Sequence, residues 1–315
     1  MILNTVIAVV LVVALLAAAT AAGTFVIERR HPPEGRFVEI TGGRLHVLEL
    51  GHATDEPPVV LLHGASGNLQ DMRLTLGNRV AERHRVILID RPGHGWSDRV
   101  EHEDVVSPAA QAAAIAQALD RLGATHIILV GYSWSGALAA AFTLAYPDRV
   151  AALVLMAPVA YPWSTGIAWH YRLASMPVIG PLFARTIVLP VAFPFIDVLS
   201  RGLFAPQAMP AHYVRDAAIP LVLRPREFVA NAQDVAALLE NVTHQSPRYA
   251  EIKVPTVILT GDRDTIVSPD IHAKMLAATL PHAKLIVLPG IGHAVQHAAA
   301  DVVAAEIDRL ANRTR

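Results

Sequence analysis

Six continuous apolar runs constrain what this chain can fold into more than any other feature. They are PVVLL (58–62), RVILI (85–89), HIILV (126–130), VAALVLM (150–156), VPTVIL (254–259) and AKLIVL (283–288), each dominated by Val, Ile and Leu. Such runs bury side chains on both faces, the condition of strands inside a parallel sheet covered on two sides. Between them lie Ala-rich stretches of helical period at 107–122, 135–146, 268–279 and 294–312. Parallel neighbours need crossover connections of that kind, so the alternation predicts a doubly wound α/β domain. Ahead of it, RFVEI and RLHVLEL flank Gly42-Gly43 and read as a hairpin.

Two stretches stand outside the alternation. From Met1 to Ile27 there is no charged side chain. At 1.5 Å per residue that length crosses a hydrocarbon core of about 30 Å. It reads either as an uncleaved transmembrane anchor or as a signal peptide cut in the Ala-rich stretch 17–22, although the basic leader of a signal peptide is missing. Arg29, Arg30 and Arg36 follow at once, and the positive-inside rule then keeps the rest of the chain cytoplasmic. A signal peptide would instead send it to the periplasm or outside the cell. Since none of the residues singled out below lies in 1–27, this segment reads as separable from the folded domain.

The second stretch, Pro158 to Pro247, holds half of the 22 prolines and more than half of the aromatic residues. Linkers lack that many aromatics. The expected organisation is therefore a core at 36–157 and 251–315, with a cap of short helices at 158–250.

Chemistry enters at GYSWSG (131–136), which follows the run HIILV and opens the helical GALAAAFTLAY. A nucleophile on a sharp strand-to-helix turn needs this context, with small residues at −2 and +2. Ser133 sits at the strand end, whereas Ser135 falls in the first helical turn, at the position usually held by glycine. A serine hydroxyl attacks only when a base takes its proton and a carboxylate orients that base. Downstream, LTGDRDTIVSP (259–269) offers Asp262 and Asp264, and LPGIGHAVQH (288–297) offers His293 and His297.

These motifs resemble the α/β-hydrolase superfamily, in particular its serine hydrolase and esterase-like members with a helical cap. Gly261-x-x-Asp264-x-x-Val267-x-Pro269 and Gly290-x-Gly292-His293 match the family's patterns after its seventh and eighth strands, in the family's order. The resemblance covers about residues 36 to 312 and implies a mostly parallel eight-stranded sheet, preceded here by the N-terminal hydrophobic helix. It makes Ser133 the nucleophile, His293 the base and Asp264 the acid, leaving Asp262 to a turn and His297 to the following helix. LLHGASGN (61–68) resembles the family's H-G loop, so the backbone N–H groups of Ala65 and Trp134 are the expected oxyanion donors. His63, and His94 within DRPGHGWSD, read as scaffold. Trp163, Trp169 and Phe193 are the cap aromatics expected to line an apolar pocket, with Phe183, Phe195 and Phe204 beside them.

A serine nucleophile favours hydrolysis of a carboxylic ester, with thioester, amide and C–C bonds as alternatives. Epoxide hydrolases and haloalkane dehalogenases share the fold but place Asp at the elbow. A catalytically silent, membrane-tethered binding protein is the rival from another class, and such proteins usually lose one of the three residues. The 26 basic residues balance 27 acidic ones without a basic run, so no nucleic-acid partner is expected. With no cysteine there is no disulfide or thiolate site, and neither metal nor cofactor is expected. The partners expected are a small apolar ester and, through residues 1–27, membrane lipid; oligomeric state is not legible.

Overall fold

The hairpin and the six runs become eight strands in the computed structural model: β1 (Arg36–Ile40), β2 (Gly43–Leu50), β3 (Val59–Leu62), β4 (Val86–Ile89), β5 (Ile127–Tyr132), β6 (Val150–Met156), β7 (Thr256–Gly261) and β8 (Ala283–Leu288). Residues 1–53, 55–102 and 104–313 are described. Thr54, Glu103, Thr314 and Arg315, which fall in the expected core segments, lie outside the described residues. The strands form one sheet in the order β1-β2-β4-β3-β5-β6-β7-β8. β2 runs antiparallel to β1 and β4, and all later pairings are parallel.

Alternate residues of each central strand feed two separate cores, which is why the strands read as unbroken apolar runs. Val60, Leu62, Ile87 and Ile89 join one cluster with Ile115, Leu119 and Leu138 from the helices Pro108–Arg121 and Ser135–Ala145. Val59, Leu61, Val86 and Leu88 join the other with Val303 and Ile307 of Ala300–Ala311. Ser107 caps the first of these helices by accepting the Ala110 N–H at 3.1 Å, with Pro108 at the first helical position. The stretch 294–312 forms two helices rather than one, because Ala299 leaves helical geometry at φ −136°. Between β3 and β4 runs a helical segment, Leu69 to Ala81, with Leu69, Met72, Leu76 and Val80 buried on one side.

Between β6 and β7 the chain leaves the sheet for an all-helical excursion. Its helices include Trp169–Ala174, Ile179–Phe183, Leu189–Ala192, Ile196–Phe204 and Tyr213–Asp216, all short and punctuated by proline. The last one, Pro225–Gln245, runs 21 residues, longer than the short helices expected. No proline interrupts it, and Ala230, Asp234, Leu238 and Val242 make a buried stripe at i, i+4 spacing.

The N-terminal helix spans Ile2–Arg30, about 44 Å at 1.5 Å per residue. Its first fourteen residues, Ile2 to Leu15, are exposed, and from Leu16 onward one face touches the folded domain. Thr20 and Ile27 are buried there, and the space beside Gly23 is so tight that a Cβ would stand 2.7 Å from Leu189 Cδ2. Glu28 pairs at 3.1 Å with Arg224, whose side chain is buried. The N-terminal helix is thus not a separable segment: its C-terminal half packs into the helical insertion.

Candidate active site

β5 delivers Ser133 at its end, where the backbone turns sharply into the helix Ser135–Ala145. Ser133 takes φ +53°, a left-handed conformation that costs an ordinary residue on the order of 1 kcal/mol or more. The neighbouring elements hold it there. Its N–H donates to Met156 O at 2.9 Å, and its carbonyl accepts from Gly136 and Val159 at 2.8 and 3.0 Å. Gly131 cannot carry a side chain, since a Cβ would collide with the Ser135 carbonyl. Ser135 is fully buried and donates its hydroxyl to the His63 carbonyl, so it ties down the loop after β3.

Three side chains from three strand ends meet here. Ser133 Oγ lies 3.0 Å from His293 Nε2, and His293 Nδ1 lies 2.7 Å from Asp264 Oδ2. The other carboxylate oxygen of Asp264 accepts the Ile266 and Val267 N–H groups, each at 2.9 Å, which fixes its orientation. In this arrangement His293 Nδ1 carries the proton and Nε2 is free to accept one from Ser133. Asp262 instead ties the turn, accepting the Gly290 N–H at 2.7 Å.

The loop that holds Ala65, one of the two expected oxyanion donors, comes from the end of β3. Gly64 passes so close to the elbow that a Cβ would stand 3.0 Å from Ser133 Cβ. Among the described residues, the backbone N–H groups of Ala65 and Trp134 find no protein acceptor. Ser66, at φ +56°, donates its N–H to Asn231 Oδ1 at 2.7 Å, and its hydroxyl lies 2.9 Å from both Asn231 Nδ2 and Tyr171 OH. The Trp134 ring is sandwiched in place: Arg91 lies 4.0 Å over it, and its Nε1 donates to the Asp234 carbonyl at 3.2 Å.

His63, His94 and His297 belong to hydrogen-bond networks outside the Ser133–His293–Asp264 series. His63 is wholly buried beside Arg91, which together lower its pKa to about 4, and it accepts the Arg91 N–H at 3.0 Å as a neutral ring. His94 is likewise held neutral by burial and Arg91, with its Nε2 3.0 Å from the Arg91 guanidinium. His297 sits on the helix after His293 and is bonded to buried Asp71 at 2.8 Å. Sequence reasoning did not find Gln207, which clamps the His293 loop by donating to Gly290 O at 2.6 Å and accepting from Gly292 N at 3.0 Å.

A cavity of about 520 Å³ starts at Ala65 and Ser66 and runs beneath the insertion between Tyr171, Phe183, Leu203 and Phe228. Of the expected aromatics, Trp169 and Phe183 line it. Trp163 does not: in the loop after β6, its ring turns edge-on to His272 and its Nε1 donates to Gly166 O at 2.9 Å. Phe193 does not either; next to Pro194 it faces a groove shared with Gly23 and Ile27 of the N-terminal helix. Phe204 is buried against Tyr213 and His297, and Phe195 projects outward.

An eight-stranded, mostly parallel sheet with a strained serine at the end of its central strand defines an α/β hydrolase. The chain belongs to the alpha/beta hydrolase fold family, whose profile matches residues 57–300. It is 32% identical over 282 residues, covering 85% of this chain and 92% of the relative, to a 2-hydroxy-6-oxo-6-phenylhexa-2,4-dienoate hydrolase of Burkholderia cepacia. It is 26% identical over 259 residues, 80% of this chain and 76% of the relative, to Lipase 1 of Psychrobacter immobilis. Among solved structures, a putative lipase of Acinetobacter baumannii is similar in fold, with a TM-score of 0.69 at 19% identity over 94% and 96% of the two chains.

Proposed function

We infer that this protein is a serine hydrolase that cleaves carboxylic esters of apolar substrates and is held at a membrane by its N-terminal helix. The observation that carries the reading is the hydrogen-bonded series Ser133–His293–Asp264 beside two unspent backbone donors. In that reaction Ser133 Oγ attacks the ester carbonyl while its proton passes to His293 Nε2. Asp264 stabilises the imidazolium and keeps its tautomer. The N–H groups of Ala65 and Trp134 receive the oxyanion. Collapse expels the alcohol, which takes the proton from His293, and water then releases the acid by the same steps in reverse order of roles.

The relative named as a dienoate hydrolase favours a second reading, cleavage of a C–C bond by the same residues. A dienoate carries a carboxylate, and a buried carboxylate needs a cationic or strongly donating partner. No arginine or lysine is among the described residues lining the cavity, whose walls are mostly Trp, Phe, Leu, Val and Ile; its polar lining is Ser66, Tyr171, Ser200, Tyr213 and His170, and burial lowers the His170 pKa and so disfavours its cationic form. That lining supports a neutral ester over an anionic dienoate.

The test is a fluorophosphonate reaction on the full-length protein with the adduct mapped by mass spectrometry. The adduct is expected on Ser133 and lost in Ser133→Ala, while Ser135→Gly still labels. An adduct on Ser135, or none at all, would overturn the assignment. Turnover of neutral p-nitrophenyl esters against a phenylhexadienoate separates the two substrate readings.

A further inference from the structure

The helices from Ile179 to Phe204 bury Ala184, Val188, Leu189 and Ile196 inward, yet their outer side is also apolar. Val178, Leu182, Val191, Val198 and Leu199 are all more than half exposed, as is Trp169. A soluble monomer rarely leaves such a surface to water. The charges around it have one dominant sign. From Pro158 to Asp216 there are four arginines, Arg172, Arg185, Arg201 and Arg215, against two carboxylates, Asp197 and Asp216, the second paired with Arg215 at 2.7 Å, a local net charge of +2 in a chain whose formal net charge is −1.

The N-terminal helix shows what covers this face. About 20 residues span a hydrocarbon core, so a span starting at Ile2 ends near Ala21. Contact with the insertion begins at Leu16 and includes buried Thr20. The last six residues of the span, about 9 Å of helix, therefore run alongside the inserted helices. Amphipathic surface helices sink roughly 5–10 Å into a leaflet, the same depth. The cavity opens on this face as well, because Trp169, Val191 and Leu199 line it and are themselves exposed.

We propose that the outer face of the inserted helices is immersed in the bilayer leaflet next to the end of the N-terminal helix, its arginines at the phosphate level, so that the cavity opens into hydrocarbon and draws lipid-soluble esters sideways from the leaflet. This rests on the N-terminal helix being a membrane span. The chain has no cysteine, so one introduced residue gives a unique label. Full-length Val178→Cys, Leu182→Cys and Val198→Cys variants, each checked for fluorophosphonate reaction, would carry an environment-sensitive fluorophore in vesicles of neutral and anionic phosphatidyl lipids. Leu11→Cys reports the span, and Glu251→Cys, on the loop leading into β7 at the far end of the sheet, reports water. Nitroxide near the ester end of the acyl chains is expected to quench the three insertion sites about fivefold more than the Glu251 site, and nitroxide at the chain terminus to quench the Leu11 site most. Quenching at Leu11 with the insertion sites matching Glu251 would overturn the proposal and leave the span intact. Absence of quenching at Leu11 would remove the span and the proposal with it. Insertion sites shielded from aqueous iodide but untouched by lipid nitroxide, with cross-linking between copies, would overturn it in favour of a protein interface.

Discussion

Lengthening the acyl chain of the substrate tests the cavity directly. A volume of about 520 Å³ is roughly 17 times the share of one water in the liquid, about 30 Å³, and a methylene occupies a similar space. The alcohol portion and imperfect packing take part of that, so acyl chains of about 8 to 12 carbons should fill it. Each fully buried methylene contributes about 0.8 kcal/mol, or about fourfold in kcat/KM. Going from butyrate to decanoate adds six methylenes, at most about 5 kcal/mol. Val191 and Leu199 are exposed at the mouth, so the outer part of the chain is only half buried. About half of the maximum, near 2.4 kcal/mol, gives a rise of about 60-fold. The assay is kcat/KM on p-nitrophenyl esters from acetate to tetradecanoate, below the aggregation limit of each, with one detergent throughout. The profile should climb to decanoate and then fall. Val222 lines the same wall, and Val222→Phe should move the optimum down by about two carbons, cutting decanoate turnover about tenfold while leaving butyrate nearly unchanged. A flat profile, or equal loss on both esters in Val222→Phe, would show that the cavity does not hold the acyl chain.

Asp264→Asn should lower kcat by about 10³–10⁴ through loss of imidazolium stabilisation and tautomer control, whereas Asp262→Asn removes only a turn hydrogen bond and should stay within about threefold; steady-state kinetics on one short ester decides. Acid stability should depend on His63, whose folded pKa of about 4 lies below its ordinary 6.5 because of burial and Arg91. Between those values the unfolded chain holds a proton that the folded chain lacks, so this contribution is intact above pH 6.5 and is lost as pH falls toward 4, by about 1.4 kcal/mol per pH unit. Urea midpoints across that window should show a shallower slope in His63→Asn, and an unchanged slope would refute the link. A chain beginning at His31 should lose the burial of Ile27, worth about 1.5–3 kcal/mol, and the Glu28–Arg224 pair. Its Tm in detergent should fall by about 5–10 °C relative to a chain beginning at Leu16; equal Tm values would mean that the docked half of the helix adds nothing to the fold.

What could be read ahead of the structure divides along physical lines. Strands buried on both faces leave unbroken apolar runs, which made β3 to β7 legible; β1 and β2 were legible from the Gly42-Gly43 turn, and β8 from an apolar run although it is a half-exposed edge strand and not buried on both faces. The elbow was legible because a backbone that tight tolerates only Gly131 and a small residue at 135. Asp264 and His293 stand a few residues past β7 and β8, so strand order alone brought them toward Ser133. The insertion obeys no such local rule. Its cavity is walled by residues from 65 to 228, and whether an aromatic faces in, as Trp169 does, or out toward another element, as Phe193 does, depends on contacts remote in sequence. The polar supports were hidden for the same reason: Asn231 reaches Ser66 across 165 residues and Gln207 reaches Gly290 across 83. In the N-terminal helix the signal was present but masked. Thr20, Gly23, Thr24 and Ile27 repeat at helix-face spacing, yet in a segment apolar all round no face stands out, and a docking stripe reads the same as a membrane span. Small residues at that spacing let two helices approach closely whether lipid or protein lies beyond. One segment can therefore stay apolar and exposed along its first half and pack on the insertion along its second, so the same residues that bear on the helices roofing the cavity carry no mark of it in the sequence.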